Sequence, residues 1–408
     1  MTADVNKDRL WNSLMTLAEI GGTAKGGVRR IALSDEDKRA RDLFCDWARD
    51  AGCDIRVDSI GNIFARRPGR NPDAAPIATG SHIDSQPAGG KFDGAFGVMA
   101  GLEVVRALND AGIETEAPIE IVDWTDEEGA RFAAGCIGSG VFSGHRDLDK
   151  ALALSDSDGV TVAKALEDIG YAGPEPAGSS RFGAYFEAHI EQGPILEAKG
   201  LPVGAVLGAQ GQRCFVMTVE GVDGHAGTLP MAKRQDSFVG TAKMTVALSE
   251  LASTYAPPAV ITVGHVRVMP NSRNTIPGKT IFTIDSRHPD AATLERMEAD
   301  MTRICKEIAD ASGLTLGVEA VTRAEPIVFD ENCVEAVREA CRKRQIRFMD
   351  IHSGAGHDAC KVASVAPAGM IFVPCVDGIS HNEFEDARPE DLAIGTQVLL
   401  DSMLAYAS

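Results

Sequence analysis

Residues 75–97 read APIATGSHIDSQPAGGKFDGAFG, and this stretch decides the fold. An apolar run typical of a buried strand ends at 80 and passes directly into a polar cluster. His82 and Asp84 are two residues apart, so on an extended segment their side chains share one face. A Gly-rich loop follows, carrying Asp93 in GGKFDGAFG, and the pattern then becomes a helix over roughly 96–111. Residues 117–129, APIEIVDWTDEEG, repeat the arrangement: an apolar strand followed at once by the adjacent pair Glu127 and Glu128. Strands alternating with helices predict an α/β domain with a largely parallel sheet. Ligands of such sheets bind outside the carboxyl ends of the strands, which is where both polar clusters lie.

Working outward, 8–26 and 35–52 read as amphipathic helices, the second with Ser34 and Asp35 as its start signal. Residues 60–69 form a further short strand. Between about 212 and 328 the pattern changes. QRCFVMTVEGV (212–222), AVITVGHVRVM (259–269), KTIFTIDSRH (279–288) and LTLGVEAVTR (314–323) read as strands, with helices over 235–254 and 290–312. That order, βαββαβ, is the signature of a ferredoxin-like unit. From 329 the α/β character returns, with a helix over 330–345 and a buried strand, GMIFVPCV (369–376), ending before GISHNEFE. The expected architecture is α/β: a discontinuous catalytic domain (1–211 and 329–408) with a mixed, largely parallel sheet flanked by helices, plus an inserted ferredoxin-like α+β domain (212–328).

Composition narrows the function classes. The 408 residues include 40 Lys and Arg against 59 Asp and Glu, a net charge of −19. That balance argues against a nucleic-acid partner, because phosphate binding needs clustered cations. No stretch approaches the ~20 apolar residues of a membrane span. The opening MTADVNKDRLWNSL lacks the basic and apolar regions of a secretory signal, so a cytoplasmic location is expected. The nine cysteines are odd in number, scattered and without a C-x-x-C pair, which fits reduced thiols rather than a disulfide framework.

The chemistry lies in the polar clusters. His189 sits in FEAHIEQGPILE (186–197) and His381 in GISHNEFE (378–385). Each histidine or carboxylate alone is weak evidence. Histidines and carboxylates gathered at strand ends make an N/O ligand set suited to zinc, manganese, cobalt or nickel. Two metals ~3.5–4 Å apart need a bridging carboxylate and activate water between them. An adjacent Glu pair can divide the labour, one ligating and one moving protons, only if a turn re-aims one side chain.

Together GSHIDSQPAGGKFDGAFG, DWTDEEGARF, EAHIEQGPILE, GHAGTLPMAKRQD, MPNSRNTIPG, DSRHPD, SGAGHDA and GISHNEFE resemble the metal-dependent N-carbamoyl amino acid amidohydrolases, in order from about residue 80 to 386. That family includes N-carbamoyl-L-amino-acid hydrolase, β-ureidopropionase and allantoate amidohydrolase, and lies within the superfamily of dinuclear-metal aminopeptidases and deacylases. The resemblance implies two divalent ions (Zn, Mn, Co or Ni) per subunit. One would be held by His82, Asp93 and His189, the other by Asp93, Glu128 and His381, with Asp93 bridging. Glu127 would be the general base and later the acid. Asp84 would orient His82 through its other ring nitrogen. A histidine at position 189, often a carboxylate in the wider superfamily, points to the carbamoyl branch.

The resemblance also implies that Gln212, His225, Asn274 and Arg287 contact substrate. Arg287 would clamp a carboxylate, and His225 and Asn274 would stabilise the oxyanion, in cis or from a partner subunit. Ser353, Gly354, Ala355 and Gly356 would form a loop whose backbone faces the substrate, closed by His357 and Asp358. Arg287 has a plainer reading as a strand-end arginine in a salt bridge. The implied partners are a small carboxylate substrate and a second subunit docked through the small domain, with hinge motion near 208–213 and 324–330. The implied reaction is hydrolysis of an N-carbamoyl amino acid, α-L or β, to amino acid, carbon dioxide and ammonia. Allantoate is the alternative substrate. A dinuclear-metal dipeptidase or deacylase, a catalytically dead binding protein and a cysteine-nucleophile amidase are the other readings.

Overall fold

The apolar run at 75–80 forms the strand Ile77–Ser81, every residue of which is buried. It pairs in parallel with Ile119–Asp123 on one side and Ala184–Ile190 on the other, and Ala184–Ile190 pairs in parallel with Ala368–Val373. Beyond this centre the sheet turns antiparallel: Ile63–Arg67 joins Ile119–Asp123, Asp54–Val57 joins Ile63–Arg67, and Val203–Ala209 joins Ala368–Val373. In this computed structural model, which describes residues 3–255 and 257–407, the chain divides into two compact units. One runs to Gly208 and resumes at Val328; the other is Ala209–Ile327. The mixed sheet belongs to the first.

Helix Ala95–Asp110 packs on the centre of this sheet and is buried along nearly its whole length. Its glycines allow the contact. A Cβ on Gly97 would lie 2.6 Å from the Ala188 carbonyl oxygen, and one on Gly101 would lie 2.9 Å from the Ile121 and Thr79 methyls. Helix Asp35–Asp50 begins where expected, with the Ser34 side chain accepting the Asp37 N–H. The first helix is shorter than its sequence pattern predicts, Lys7–Glu19 rather than 8–26. The chain breaks at Gly21, whose φ of +82° takes it out of the helix and against the Arg29 carbonyl. Helix Pro389–Ala407 covers the sheet with Leu392, Val398, Leu399, Leu400 and Met403.

The second unit has the antiparallel strand order Val266–Met269, Lys279–His288, Gly211–Glu220, Thr315–Ala324, with Val260–Thr262 also on Lys279–His288. Helices Ser237–Tyr255 and Ala291–Ala311 are interleaved with these strands in the chain. This is the ferredoxin-like arrangement. Its core is Phe215, Met217, Val219, Met244, Leu248, Phe282, Ile284, Met301 and Cys305. All nine cysteines of the chain are free. Among the described residues, no helix is long and apolar enough to cross a membrane.

Beneath the strand ends of the first unit lies a buried charge network. Arg41 donates from Nε to Asp37 at 2.8 Å and from a terminal nitrogen to the Gly61 carbonyl at 2.8 Å, with Asp123 3.9 Å away. Arg30, buried likewise, donates to the Ile83 carbonyl at 2.7 Å and so grips the segment between His82 and Asp84. Removing one partner of such a network strands a charge in the core. Arg41→Met is expected to destabilise this unit by about 3–5 kcal/mol. The measurement is the urea midpoint followed by tryptophan fluorescence, which reports this unit alone because Trp11, Trp47 and Trp124 all lie in it. A midpoint equal to wild type would show that the pair contributes nothing to stability.

Candidate metal centre and active site

Asp93 organises the cluster. Its Oδ1 lies 3.2 Å from His189 Nε2 and 3.8 Å from His82 Nε2, while its Oδ2 lies 3.3 Å from His381 Nε2. Glu128 Oε2 is 3.3 Å from the same His381 nitrogen. Two sets of ligand atoms therefore each gather within 4.8 Å, His82–Asp93–His189 and Asp93–Glu128–His381, and Asp93 is common to both. All five residues come from loops or strand ends, gathered about the carboxyl ends of the central parallel strands of the large sheet. His82 follows strand Ile77–Ser81, Glu128 follows Ile119–Asp123, and His189 stands near the end of Ala184–Ile190.

Local backbone geometry explains how the chain presents them. Gly94 has a φ of +66°, and a Cβ there would fall 2.3 Å from the His82 ring, so only glycine leaves the imidazole room. Glu127 and Glu128 would point apart on an extended chain. Asp126 and Gly129 turn the segment with φ of +50° and +63°. In consequence Glu127 Oε2 lies 3.6 Å from His82 Nε2 while Glu128 reaches His381. Glu127 is held from its other side by Cys136, whose N–H donates to its carbonyl at 2.8 Å and whose thiol donates to its Oε1 at 3.3 Å.

The electrostatics suit a divalent cation. Burial, followed by the charges of Asp358, Glu128, Asp84 and Asp93, pushes the Glu127 carboxyl well above its ordinary range. Burial and the charge of Asp93 push Glu128 up to about 7. Asp93 is held well below the usual carboxylate range: burial opposes its charge, but hydrogen bonds from His189 and His381 outweigh it. Burial lowers His82 to about 4. In His189 the bond to Asp93 overcomes burial and raises the ring to about 9, and the same partner raises His381 to about 9. Crowded carboxylates interleaved with imidazoles are an N/O donor set that a divalent ion satisfies, and the shared aspartate fits a pair of them.

Asp84 departs from expectation. The ring nitrogen His82 Nδ1 meets the Asp84 backbone carbonyl at 3.0 Å, whereas the Asp84 carboxylate stands off at 3.6 Å. That carboxylate instead accepts the N–H groups of Glu127 at 3.2 Å and Glu128 at 3.3 Å. The turn at Glu127 and Glu128 aims two backbone amides at this carboxylate, and an ionised carboxylate accepts such donors readily. Sequence reasoning also missed a surrounding polar layer. Gln86 donates to Glu128, Gln192 and Ser380 donate to Asp93, and Glu385 takes backbone N–H groups from the Asp93 loop. Each stands within a few residues of a ligand in the quoted motifs, which was the available signal.

The loop Ser353, Gly354, Ala355, Gly356 lies in the same unit. Ser353 Oγ meets His357 Nε2 at 2.8 Å and the Ala355 N–H at 3.0 Å, and the His357 ring packs edge-on to His189 at 4.6 Å. A Cβ on Gly354 or Gly356 would meet nothing, so the loop backbone borders open space. Asp358 accepts from Ser139 and is buried. A third set of ligand-type atoms, Glu187–His189–His357, is engaged internally: Ser81 and the Ala359 N–H occupy Glu187, and Ser353 occupies His357.

Four expected substrate residues lie in the second unit. His225 and Asn274 are neighbours across the short ladder that pairs His225 with Thr275, joined by the Ala226 N–H to the Asn274 carbonyl at 2.9 Å. Both are exposed. Gln212 and Arg287 stand opposite each other on paired strands. Between them Asp285 accepts from Gln212 at 2.6 Å and from two Arg287 nitrogens at 3.0 and 3.1 Å. The plainer expectation for Arg287, a strand-end salt bridge, thus describes its surroundings, and Asp285 was not singled out.

Comparison with known proteins completes the picture. Residues 78–405 match the model of peptidase family M20/M25/M40. The N-carbamoyl-L-amino-acid amidohydrolase of Rhizobium meliloti is 45% identical, covering 99% of this chain and 97% of its own. The allantoate amidohydrolase of Escherichia coli is 34% identical over 95% of both. A crystal structure of an amidase of the hydantoinase/carbamoylase family from Burkholderia multivorans superposes with a TM-score of 0.97 at 52% identity, covering 99% of this chain and 98% of that one. With that agreement along its whole length, the chain belongs to peptidase family M20/M25/M40, within its N-carbamoyl amino acid amidohydrolase group, and is a hydrolase.

Proposed function

We propose that the protein hydrolyses the carbamoyl C–N bond of an N-carbamoyl amino acid, α-L or β, to the amino acid, carbon dioxide and ammonia. The observation that carries this reading is Asp93 shared between two ligand sets with Glu127 at their edge. His82, Asp93 and His189 would hold one divalent ion, and Asp93, Glu128 and His381 a second. Such a pair supplies a Lewis acid for a ureido carbonyl, which two nitrogens make a poor electrophile, and a water acidified towards neutrality.

The protein's own groups do the rest. Glu127 takes the proton from the attacking water and returns it to the amino-acid nitrogen as that C–N bond breaks. The carbamic acid left behind decomposes to carbon dioxide and ammonia. Asp84 fixes the Glu127–Glu128 turn through the two backbone amides. Gln212, Arg287 and the Gly354–Ala355–Gly356 loop are assigned to substrate binding, with Arg287 reading the carboxylate. His225 and Asn274 are assigned to the developing oxyanion. The second unit is assigned as lid and dimerisation domain of a cytoplasmic homodimer. The family resemblance supports these assignments. Allantoate hydrolysis is the alternative, favoured by the Escherichia coli relative.

The deciding experiment strips the protein with a chelator and restores zinc, manganese, cobalt or nickel singly. Ammonia release is then assayed from N-carbamoyl-L-amino acids, β-ureidopropionate and allantoate. Metal-restored release from a carbamoyl amino acid supports the reading, and release from allantoate alone replaces it with the alternative. Glu127→Gln is expected to keep its metal and lose roughly 10²–10⁴-fold in kcat. Near-normal turnover would remove the general-base assignment.

Metal binding should also displace protons. His189 and His381 are raised to about 9, so in stripped protein at neutral pH both rings are charged. Ligation requires the neutral form. Zinc added in weak buffer should therefore acidify the solution, and apparent affinity should climb as pH rises towards 9 and fall as pH drops. An affinity independent of pH between 6 and 9 would contradict ligation by these two imidazoles.

A further inference from the structure

One buried carboxylate outside the proposed ligand sets presses directly on the shared aspartate. Glu385 is 1% exposed, and its Oε1 accepts the N–H of Phe92 at 2.9 Å and of Asp93 at 3.1 Å. Its Oε2 lies 3.2 Å from Ser380 Oγ, whose one hydroxyl proton it shares with Asp93. Ser380 immediately precedes His381, and its hydroxyl also lies 3.0 Å from Asp93 Oδ2. Gln192 donates to both, at 3.2 Å to Ser380 and 2.9 Å to Asp93. The fold makes room for the carboxylate at Gly90, where a Cβ would fall 2.0 Å from it.

The contacts are specific in what they join. Two consecutive amides fix the backbone from which the Asp93 side chain leaves, and the serine ties that carboxylate to the loop bearing His381. His381 itself has a φ of +52°, a conformation a non-glycine residue keeps only where its surroundings over-determine it. The Ser380 tether lies on one side of it. On the other, Glu385 N–H closes a turn onto the Asn382 carbonyl at 3.0 Å.

We infer that Glu385 is a positioning residue of the metal centre, clamping the Asp93 loop and, through Ser380, the His381 loop into one register. The inference rests on Asp93 and His381 being metal ligands. Outer groups of this kind typically set metal affinity by 10–100-fold, because they hold ligands in place before the ion arrives. A purely structural role would lower stability and leave affinity alone.

Zinc affinity and stoichiometry of chelator-stripped protein, measured by competition with a chromophoric chelator, test this, with circular dichroism and thermal unfolding as fold controls. Glu385→Ala is expected to bind zinc roughly 10–100-fold more weakly, while Glu385→Gln, which keeps an oxygen for the two amides, stays within about threefold of wild type. Ser380→Ala should weaken the second equivalent more than the first. Wild-type affinity in a folded Glu385→Ala protein overturns the inference, as does a Gln variant as impaired as Ala. Should Glu385→Ala not fold, Ser380→Ala decides, and an unchanged second equivalent overturns it. Wild-type protein that takes up no zinc overturns the metal-centre reading and the inference with it, and is told apart because it appears before any substitution is made.

Discussion

The division of one carboxylate between two groups of imidazoles is the constraint on which the first unit depends. Asp93 turns one oxygen to His82 and His189 and the other to His381. Neither group can move without the other, so the loop carrying Asp93 has no freedom to drift. Its composition follows from that. Gly90 leaves space for Glu385, Gly94 leaves space for the His82 ring, and the chain enters helix Ala95–Asp110 at once, anchored on the sheet by Gly97 and Gly101. Substitution at any of these glycines would act on the cluster through sterics, not through chemistry.

Concentrating so many carboxylates at the carboxyl ends of the central strands opposes stability. Asp123 and Asp126 are fully buried, and burial raises both carboxyls to about 7. Two buried guanidiniums, Arg30 and Arg41, offset part of this negative charge from below, and Arg30 also holds the Ile83 carbonyl. The same groups that stabilise the core therefore set the geometry of the His82–Asp84 segment. The rest of the cost falls on the apolar core, to which helix Pro389–Ala407 contributes a largely buried face. A protein selected only for stability would not keep this arrangement, which is the pattern expected where function is bought with local strain.

Much of the fold was legible because the decisive elements carried unmixed signals. The buried strand Ile77–Ser81 closes an apolar run that stops abruptly at His82, Ile119–Asp123 is β-branched apart from Glu120 and Asp123 and leads into acids, and the second unit alternates cleanly, as in Gly211–Glu220. Helix Pro389–Ala407 was not legible. Gly395, Thr396, Gln397 and Ser402 are buried beside its leucines, so burial does not track hydrophobicity around it. At the site, residue type and motif order pointed to the residues that the structure brings together around Asp93. The polar layer behind them was hidden because Glu385 meets Phe92 and Asp93 nearly 300 residues back along the chain. Asp84 shows a further limit. A histidine two residues from an aspartate suggests a ring–carboxylate bond, yet the turn at Glu127 and Glu128 offers that carboxylate two amides and leaves the ring to the carbonyl.

Arg287 raises the question of what an arginine already paired can still recognise. Asp285 holds the guanidinium through two nitrogens and is itself held by Gln212. The pair is about one-third exposed, so its charge is screened and its net attraction for a distant anion is weak. What the pairing provides is orientation. A guanidinium fixed by its own carboxylate has less rotamer entropy to lose when a substrate carboxylate arrives than a free surface arginine would. Discrimination among carbamoyl substrates, in the role proposed for Arg287, would then come from where the substrate carboxylate falls against this fixed fork. The separation between carboxylate and ureido carbon differs between α- and β-carbamoyl amino acids by one methylene, a difference that a rigid fork can sense and a mobile side chain would absorb.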